Sequence, residues 1–214
     1  MNEAKTAVLL VGSPKGVARS AGSRRAAVLL DALQDRGWSQ EKVHLLSALR
    51  SEEGRAGLLK VVASTDLVIL AMPLYVDSLP APVVEALEHL HGHRRSLGEP
   101  KRFVAFLNCG FPEASHNATA LQICRLFAEA MGWMWAGGLS MGGTGMTGEI
   151  LQRVMTQAAE AFARGDPVPE GAAALASKPR MKTWLYVLGG NVMWRRLARR
   201  QGAQRNLSAR PYAS

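Results

Sequence analysis

Cysteine is scarce in this 214-residue chain, with Cys109 and Cys124 the only two. That number provides no disulfide framework, and the spacing fits no metal-site pattern. Long apolar runs are missing too. No stretch approaches the roughly 18 to 20 uninterrupted apolar residues of a membrane span. The nearest, Thr183 to Trp194, is interrupted by Gly189, Gly190 and Asn191. No charged start followed by an apolar core marks a signal peptide, because Met1-Asn2-Glu3-Ala4-Lys5 leads straight into a strand-like run. The expectation is a cytoplasmic protein with reduced thiols. A third absence is acid: from Gly171 to Ser214 there is no Asp or Glu, against nine Lys or Arg. Residues 1–170 are electroneutral, so the whole net charge of +9 belongs to the tail.

What is present is an ordinary globular composition, 48% hydrophobic and 20% charged. The length suffices for one substantial core. Strand-like apolar runs fall at Thr6–Gly12, Lys42–Leu46, Leu67–Ala71, Phe103–Asn108 and Trp133–Ser140. Helical periodicity lies between and after them, at Ser20–Arg36, Ser51–Ser64, Pro82–His93, Asn117–Met131 and Gly148–Arg164. This alternation predicts an α/β fold with a parallel sheet covered on both faces. Gly171–Pro179 reads as a linker, so the chain divides into 1–170 and a basic Trp/Arg-rich extension at 171–214.

Folds of this class bind ligands beyond the carboxyl ends of their strands, which directs attention to three loops. The first, Val11 to Arg25, precedes a helix whose N-terminal amides and dipole favour an anion. Ser13, Ser20 and Ser23 offer hydroxyls, Gly16 and Gly22 offer close backbone approach, and Lys15 and Arg19 add charge. A solvated turn with serine as helix cap is the plainer alternative. In the second loop, Met72 to Pro82, Pro73 ends the strand, Tyr75 offers a ring, and the amides of Leu74–Val76 face a ligand's polar atoms. A proline-defined strand exit is its alternative. The third, Asn108 to Asn117, combines Asn108, Cys109, Gly110 and Phe111, with Cys109 more readily a buried structural thiol than a nucleophile. Taken together, the loops suit a ligand with a phosphate at one end and a flat ring at the other.

The segments GSPKGVARSAGS, PLYVDSLPAPV, NCGFPE and GGLSMGGTGM resemble the flavodoxin-like, NAD(P)H-dependent FMN reductase family. The tail, GGNVMWRRLARRQGAQRNLSARPY, resembles the C-terminal extension of a subgroup of NAD(P)H-dependent oxidoreductases. The resemblance implies a doubly wound five-stranded sheet in flavodoxin order, 2-1-3-4-5, and FMN held non-covalently. By position, Ser13, Lys15, Ser20, Gly22 and Ser23 would hold the FMN phosphate. Pro73, Leu74, Tyr75 and Val76 would contact the ring and ribityl chain, and Asn108, Cys109, Gly110 and Phe111 the ring's polar edge. Ala21-Gly22 departs from the family, which tends to place an Asn here. The implied activity is hydride transfer from NADH or NADPH to FMN, with electrons passed to a quinone, nitro compound, flavin or protein. No side chain is singled out as catalytic, and a homodimer is expected. The alternative is a non-enzymatic electron carrier or docking module.

Three other signals invite different functions. Gly143-Thr144-Gly145-Met146-Thr147-Gly148 is a literal Gly-x-Gly-x-x-Gly, but no second strand with a terminal acid follows it. His89, His91 and His93 lie two apart, so on a helix their rings diverge, and no metal is expected. The tail sets Trp184, Tyr186 and Trp194 beside an Arg cluster. That pattern suits packing on the domain or a second subunit, an anionic membrane surface with the protein peripheral to it, or, least favoured, nucleic acid.

Overall fold

Three of the apolar runs lack polar alternation, and their place in the sheet explains why. The structure, a computed structural model, describes residues 4–15, 20–143, 145–203, 207 and 209. Its strands are β1 (Thr6–Val11), β2 (Ser39–His44), β3 (Leu67–Pro73), β4 (Arg102–Asn108) and β5 (Met134–Met141). They form one parallel sheet in the order β2-β1-β3-β4-β5. The central strands β1, β3 and β4 are covered on both faces, so neither set of alternating side chains meets water.

Ala7, Leu9 and Val11 point into a cluster with α1 (Ala21–Gln34), α6 (Gly148–Arg164) and α7 (Glu170–Ser177). Val8 and Leu10 point the other way, toward α3 (Glu52–Ala63), α4 (Ala81–Gly92) and α5 (Ala118–Met131). Both clusters are apolar throughout, and full burial of each Leu or Val contributes about 1.5 to 3 kcal/mol before entropy is counted.

Two sequence expectations shift. The second strand is Ser39–His44 rather than Lys42–Leu46. An edge strand has one open side, so its polar sequence hides it from hydropathy, while Leu45 and Leu46 enter the short helix α2 (Leu45–Ala48). Residues 171–177, expected as linker, belong to α7, whose Ala172 and Ala176 are buried. Alanine favours helix, and its small side chains fit against the glycine-bearing β5. Val168 N–H donates to Ala136 O at 2.8 Å, which ties the start of this segment to the strand.

The chain divides into the units Met1–Pro179 and Arg180–Ser214. The second unit holds α8 (Thr183–Arg200), in which no residue is buried.

Candidate functional site

Strand order reverses direction at β1, so the loops leaving β1 and β3 diverge to opposite faces and open a crevice. Loop one begins at Gly12, whose N–H donates to Ala71 O at 2.8 Å. A Cβ at Gly12 would stand 2.3 Å from Val83 Cγ2, so glycine is required here for space. Ser13 is buried, and its Oγ accepts the Lys15 N–H at 3.3 Å. The Ser13 carbonyl lies 2.8 Å from His44 Nε2, and His44 Nδ1 lies 2.8 Å from Ser47 Oγ. A carbonyl only accepts, so this contact requires a proton on Nε2. His44, at the end of β2, thereby pins the base of loop one.

Ser20 takes extended geometry and caps α1, its Oγ accepting the Ser23 N–H at 3.3 Å. A serine oxygen that accepts keeps its own proton for another acceptor. Ser23 is buried and its Oγ has no partner among the described residues. A Cβ at Gly22 would fall 2.2 Å from Asn108 Oδ1, a buried oxygen that also lacks a partner. Asn108 therefore occupies the space beside the first turn of α1, and a side chain at position 22 would displace it. Glycine at position 22 thus leaves room for a side chain from the end of β4. Gly16 and Arg19 lie outside the described residues.

Loop two is joined to loop three by the sheet. Pro73 pairs in register with Asn108, and the Leu74 N–H donates to Asn108 O at 2.8 Å. Tyr75 and Ser78 exchange two backbone hydrogen bonds of 3.0 Å, closing a tight turn over Val76 and Asp77. Both turn residues have left-handed φ, 48° and 56°, unusual for Asp and strained for β-branched Val. The amides of Leu74 and Tyr75, expected to face a ligand, are thus committed to the protein. What the loop presents is the Tyr75 ring, 42% exposed, and the Val76 side chain.

In loop three, Cys109 turns inward. Its N–H donates to Met141 O at 3.1 Å, and its Sγ lies 3.3 Å from Glu113 O. Burial pushes its thiol pKa up, and that of Cys124 up to about 12. Both are structural thiols. Gly110 is exposed, and Phe111, 52% exposed, stacks on His116 with centroids 4.3 Å apart. His116 Nδ1 lies 3.7 Å from Asp77 Oδ1, so loops two and three also meet at their tips.

Sequence reasoning missed His44, Asn117 and Ser140. Asn117 is fully buried, and its Nδ2 donates to Ser140 Oγ (3.0 Å) and Met141 O (3.2 Å). Ser140 Oγ donates in turn to Ala114 O at 2.9 Å, which fixes loop three to the end of β5. A lone Asn at a helix start was the available signal. The Gly143–Gly148 motif serves packing: the Gly143 N–H donates to Phe111 O at 2.6 Å, and a Cβ at Gly145 would meet Met141 Sδ at 2.6 Å. Thr144 lies outside the described residues. Arg25 Nε donates to Met146 O at 3.1 Å, and burial, aided by Arg24, lowers its pKa. Arg24 and Arg25 line a cleft of about 270 Å³ between the starts of α1 and α6. Among the described residues no cluster of His, Cys, Asp or Glu could hold a metal.

No family model and no curated protein matches the chain. Solved structures do. A rubredoxin oxygen:oxidoreductase of Desulfovibrio gigas matches with TM-score 0.58 and 14% identity over 75% of this chain, which spans only 35% of that protein. A flavodoxin, WrbA-like protein of Agrobacterium tumefaciens gives TM-score 0.56 at 16% identity, covering 76% of this chain and 99% of its own. An FMN-dependent NADH-azoreductase of Bacillus anthracis, solved with FMN, gives 0.56 at 12% identity, covering 75% and 99%. With the strand order 2-1-3-4-5, these likenesses establish a flavodoxin-like α/β fold.

Proposed function

We propose that the protein is an FMN-dependent NAD(P)H oxidoreductase acting on a small acceptor. The observation that carries this is two buried oxygens at the start of α1 and the end of β4, Ser23 Oγ and Asn108 Oδ1, which have no partner among the described residues. A buried acceptor left unpaired costs about 1 to 3 kcal/mol, so a ligand that satisfies both is favoured. FMN carries both kinds of partner: phosphate oxygens for the Ser23 hydroxyl, and ribityl hydroxyls for Asn108 Oδ1.

Ser13, Ser20, Ser23 and the amides opening α1 would hold the phosphate, with Lys15 adding charge. Pro73 to Val76 would flank the ring and ribityl chain, Asn108 Oδ1 would accept from the ribityl chain, and Gly110 and Phe111 would meet the ring's polar edge. Cys109 would shape the loop from behind. The chemistry supplied by bound FMN is hydride uptake from NAD(P)H and electron transfer to an acceptor, so the protein must bind, orient and tune rather than furnish a nucleophile. The neighbours described above support the class, since one is itself FMN-dependent and uses NADH by its description.

The test is direct. The purified chain is examined for a flavin spectrum, titrated with FMN, and mixed anaerobically with NADH and with NADPH. Flavin uptake followed by bleaching is expected. A colourless protein that ignores added FMN would sink the proposal, and uptake without bleaching would leave an electron carrier. A homodimer is part of the same proposal and is checked by light scattering.

A further inference from the structure

Helix α8 is an 18-residue helix with no buried residue and with large apolar side chains along its length. Trp184 and Trp194 are 61% and 63% exposed, and Leu185, Val187, Leu188, Val192, Met193 and Leu197 are exposed as well. Residues 183–194 carry no charge, a length of about 18 Å at the α-helical rise. Cations bound this segment at both ends: Lys178, Arg180 and Lys182 before it, and Arg195, Arg196, Arg199 and Arg200 after it.

That layout distinguishes lying on a bilayer from crossing one. A hydrocarbon core is about 30 Å thick, and no described helix is long and apolar enough to cross it. Crossing would also drag one cationic cluster through the apolar centre. Lying in the interface satisfies both clusters at once, because each end meets headgroup phosphates. In the C-terminal half, Met193, Trp194, Leu197 and Ala198 recur at helical spacing on the side opposite Arg195, Arg196, Arg199 and Arg200. In the N-terminal half, Trp184 to Leu188 carry no charge on any side of the helix. Trp184 and Trp194 mark the two margins of the uncharged segment, and indole favours headgroup depth. Guanidinium forks match lipid phosphates in two-point contacts. Nucleic acid offers the same phosphates but nothing for the exposed Leu, Val and Met side chains to enter.

We propose that α8 is an in-plane membrane anchor for surfaces rich in anionic phospholipid, independent of whether the flavodoxin-like unit carries FMN. The full chain is sedimented with vesicles of phosphatidylcholine alone and of phosphatidylcholine with about 30% phosphatidylserine. Tryptophan emission is recorded with each. Co-sedimentation and a blue shift are expected with the anionic vesicles only, both weakened at about 0.5 M salt, where charge is screened within a few ångströms. Each basic residue near such a surface strengthens binding about fivefold. The variant Arg195→Ala/Arg196→Ala/Arg199→Ala/Arg200→Ala should therefore bind two to three orders of magnitude more weakly. Trp184→Ala/Trp194→Ala should weaken binding without changing its salt dependence. These positions lie outside the unit Met1–Pro179, so unchanged melting of that unit confirms that the variants fold. Equal binding to neutral vesicles, no binding to either, or a four-arginine variant that binds like the parent would each overturn the proposal. So would saturable binding of a single-stranded oligonucleotide, or stable self-association, without binding to vesicles.

Discussion

Replacing Gly22 by alanine separates the stability of the fold from the tuning of the crevice. A Cβ at this position would lie 2.2 Å from Asn108 Oδ1 and 3.3 Å from Asn108 Cγ. Ordinary contact needs at least 3.4 Å, so the oxygen must retreat by about 1.2 Å. The third neighbour, Ser20 Oγ, already stands at 3.9 Å and need not move. The obstacle is the far end of a side chain rather than backbone, so the relief is a rotation of Asn108, costing about 0.5 to 1.5 kcal/mol. Alanine in the helical first turn gains about 0.5 to 1 kcal/mol over glycine. The two effects nearly cancel, and the FMN-free melting temperature should move by no more than a few degrees in either direction. FMN affinity should respond differently. With Asn108 turned away its proposed contact to FMN is lost, for about 1 to 3 kcal/mol, or a five- to 150-fold rise in Kd. Flavin fluorescence titration reads this directly. In an Asn108→Ala background, Gly22→Ala should have little further effect, since the two substitutions share one contact. Unchanged FMN affinity in the single variant, or full additivity in the double, would refute the reasoning.

Three further outcomes follow from the same geometry. Val76→Gly removes a β-branched side chain from the left-handed region at a site that is 99% exposed, so the variant should gain about 1 kcal/mol by thermal melting, with no packing lost. Asn117→Ala takes a donor from both Ser140 Oγ and Met141 O, and a loss of about 2 to 4 kcal/mol is expected from denaturant titration. With its pKa at about 12, Cys124 has roughly a thousandfold less thiolate at pH 8 than a thiol of ordinary pKa. Cys109 is shifted in the same direction. Both should react with a thiol-specific chromogenic disulfide far more slowly in the folded protein than after unfolding, and raising the pH should narrow that difference.

How far the sequence revealed this molecule depends on whether a residue's role is local. The central strands β1, β3 and β4 declare themselves because burial on both faces makes their apolar runs unbroken. The edge strand β2 does not, since Ser39 to Lys42 have nothing to bury. The α7 helix was hidden by the prolines and glycine before it, which look like a linker until β5 is present to pack against. In the crevice, Ser13, Ser20, Gly22 and Ser23 stand out in the sequence because hydroxyls and glycine lie between a strand and a helix, and an anion there belongs to the proposed function. The committed amides of Leu74 and Cys109 were not, because each bonds to a backbone set by another segment. His44 and Asn117 act across 31 and 23 residues of sequence, to Ser13 and Ser140. No local pattern encodes such partners. Only the sheet brings them together.

The outer strands carry a last consequence, for behaviour at high concentration. An open strand edge is a template on which other chains can stack. On β2 the exposed residues include Glu41 and Lys42, whose charges repel or mismatch an incoming strand. On β5 the carbonyl of Ala136 is already taken by Val168 N–H, and Pro167 and Pro169 on either side of Val168 cannot extend a ladder. Both flanks of the sheet thus resist fibrillar growth. Accidental stacking, if it occurs, is more readily expected through the apolar helix at the tail than through the sheet.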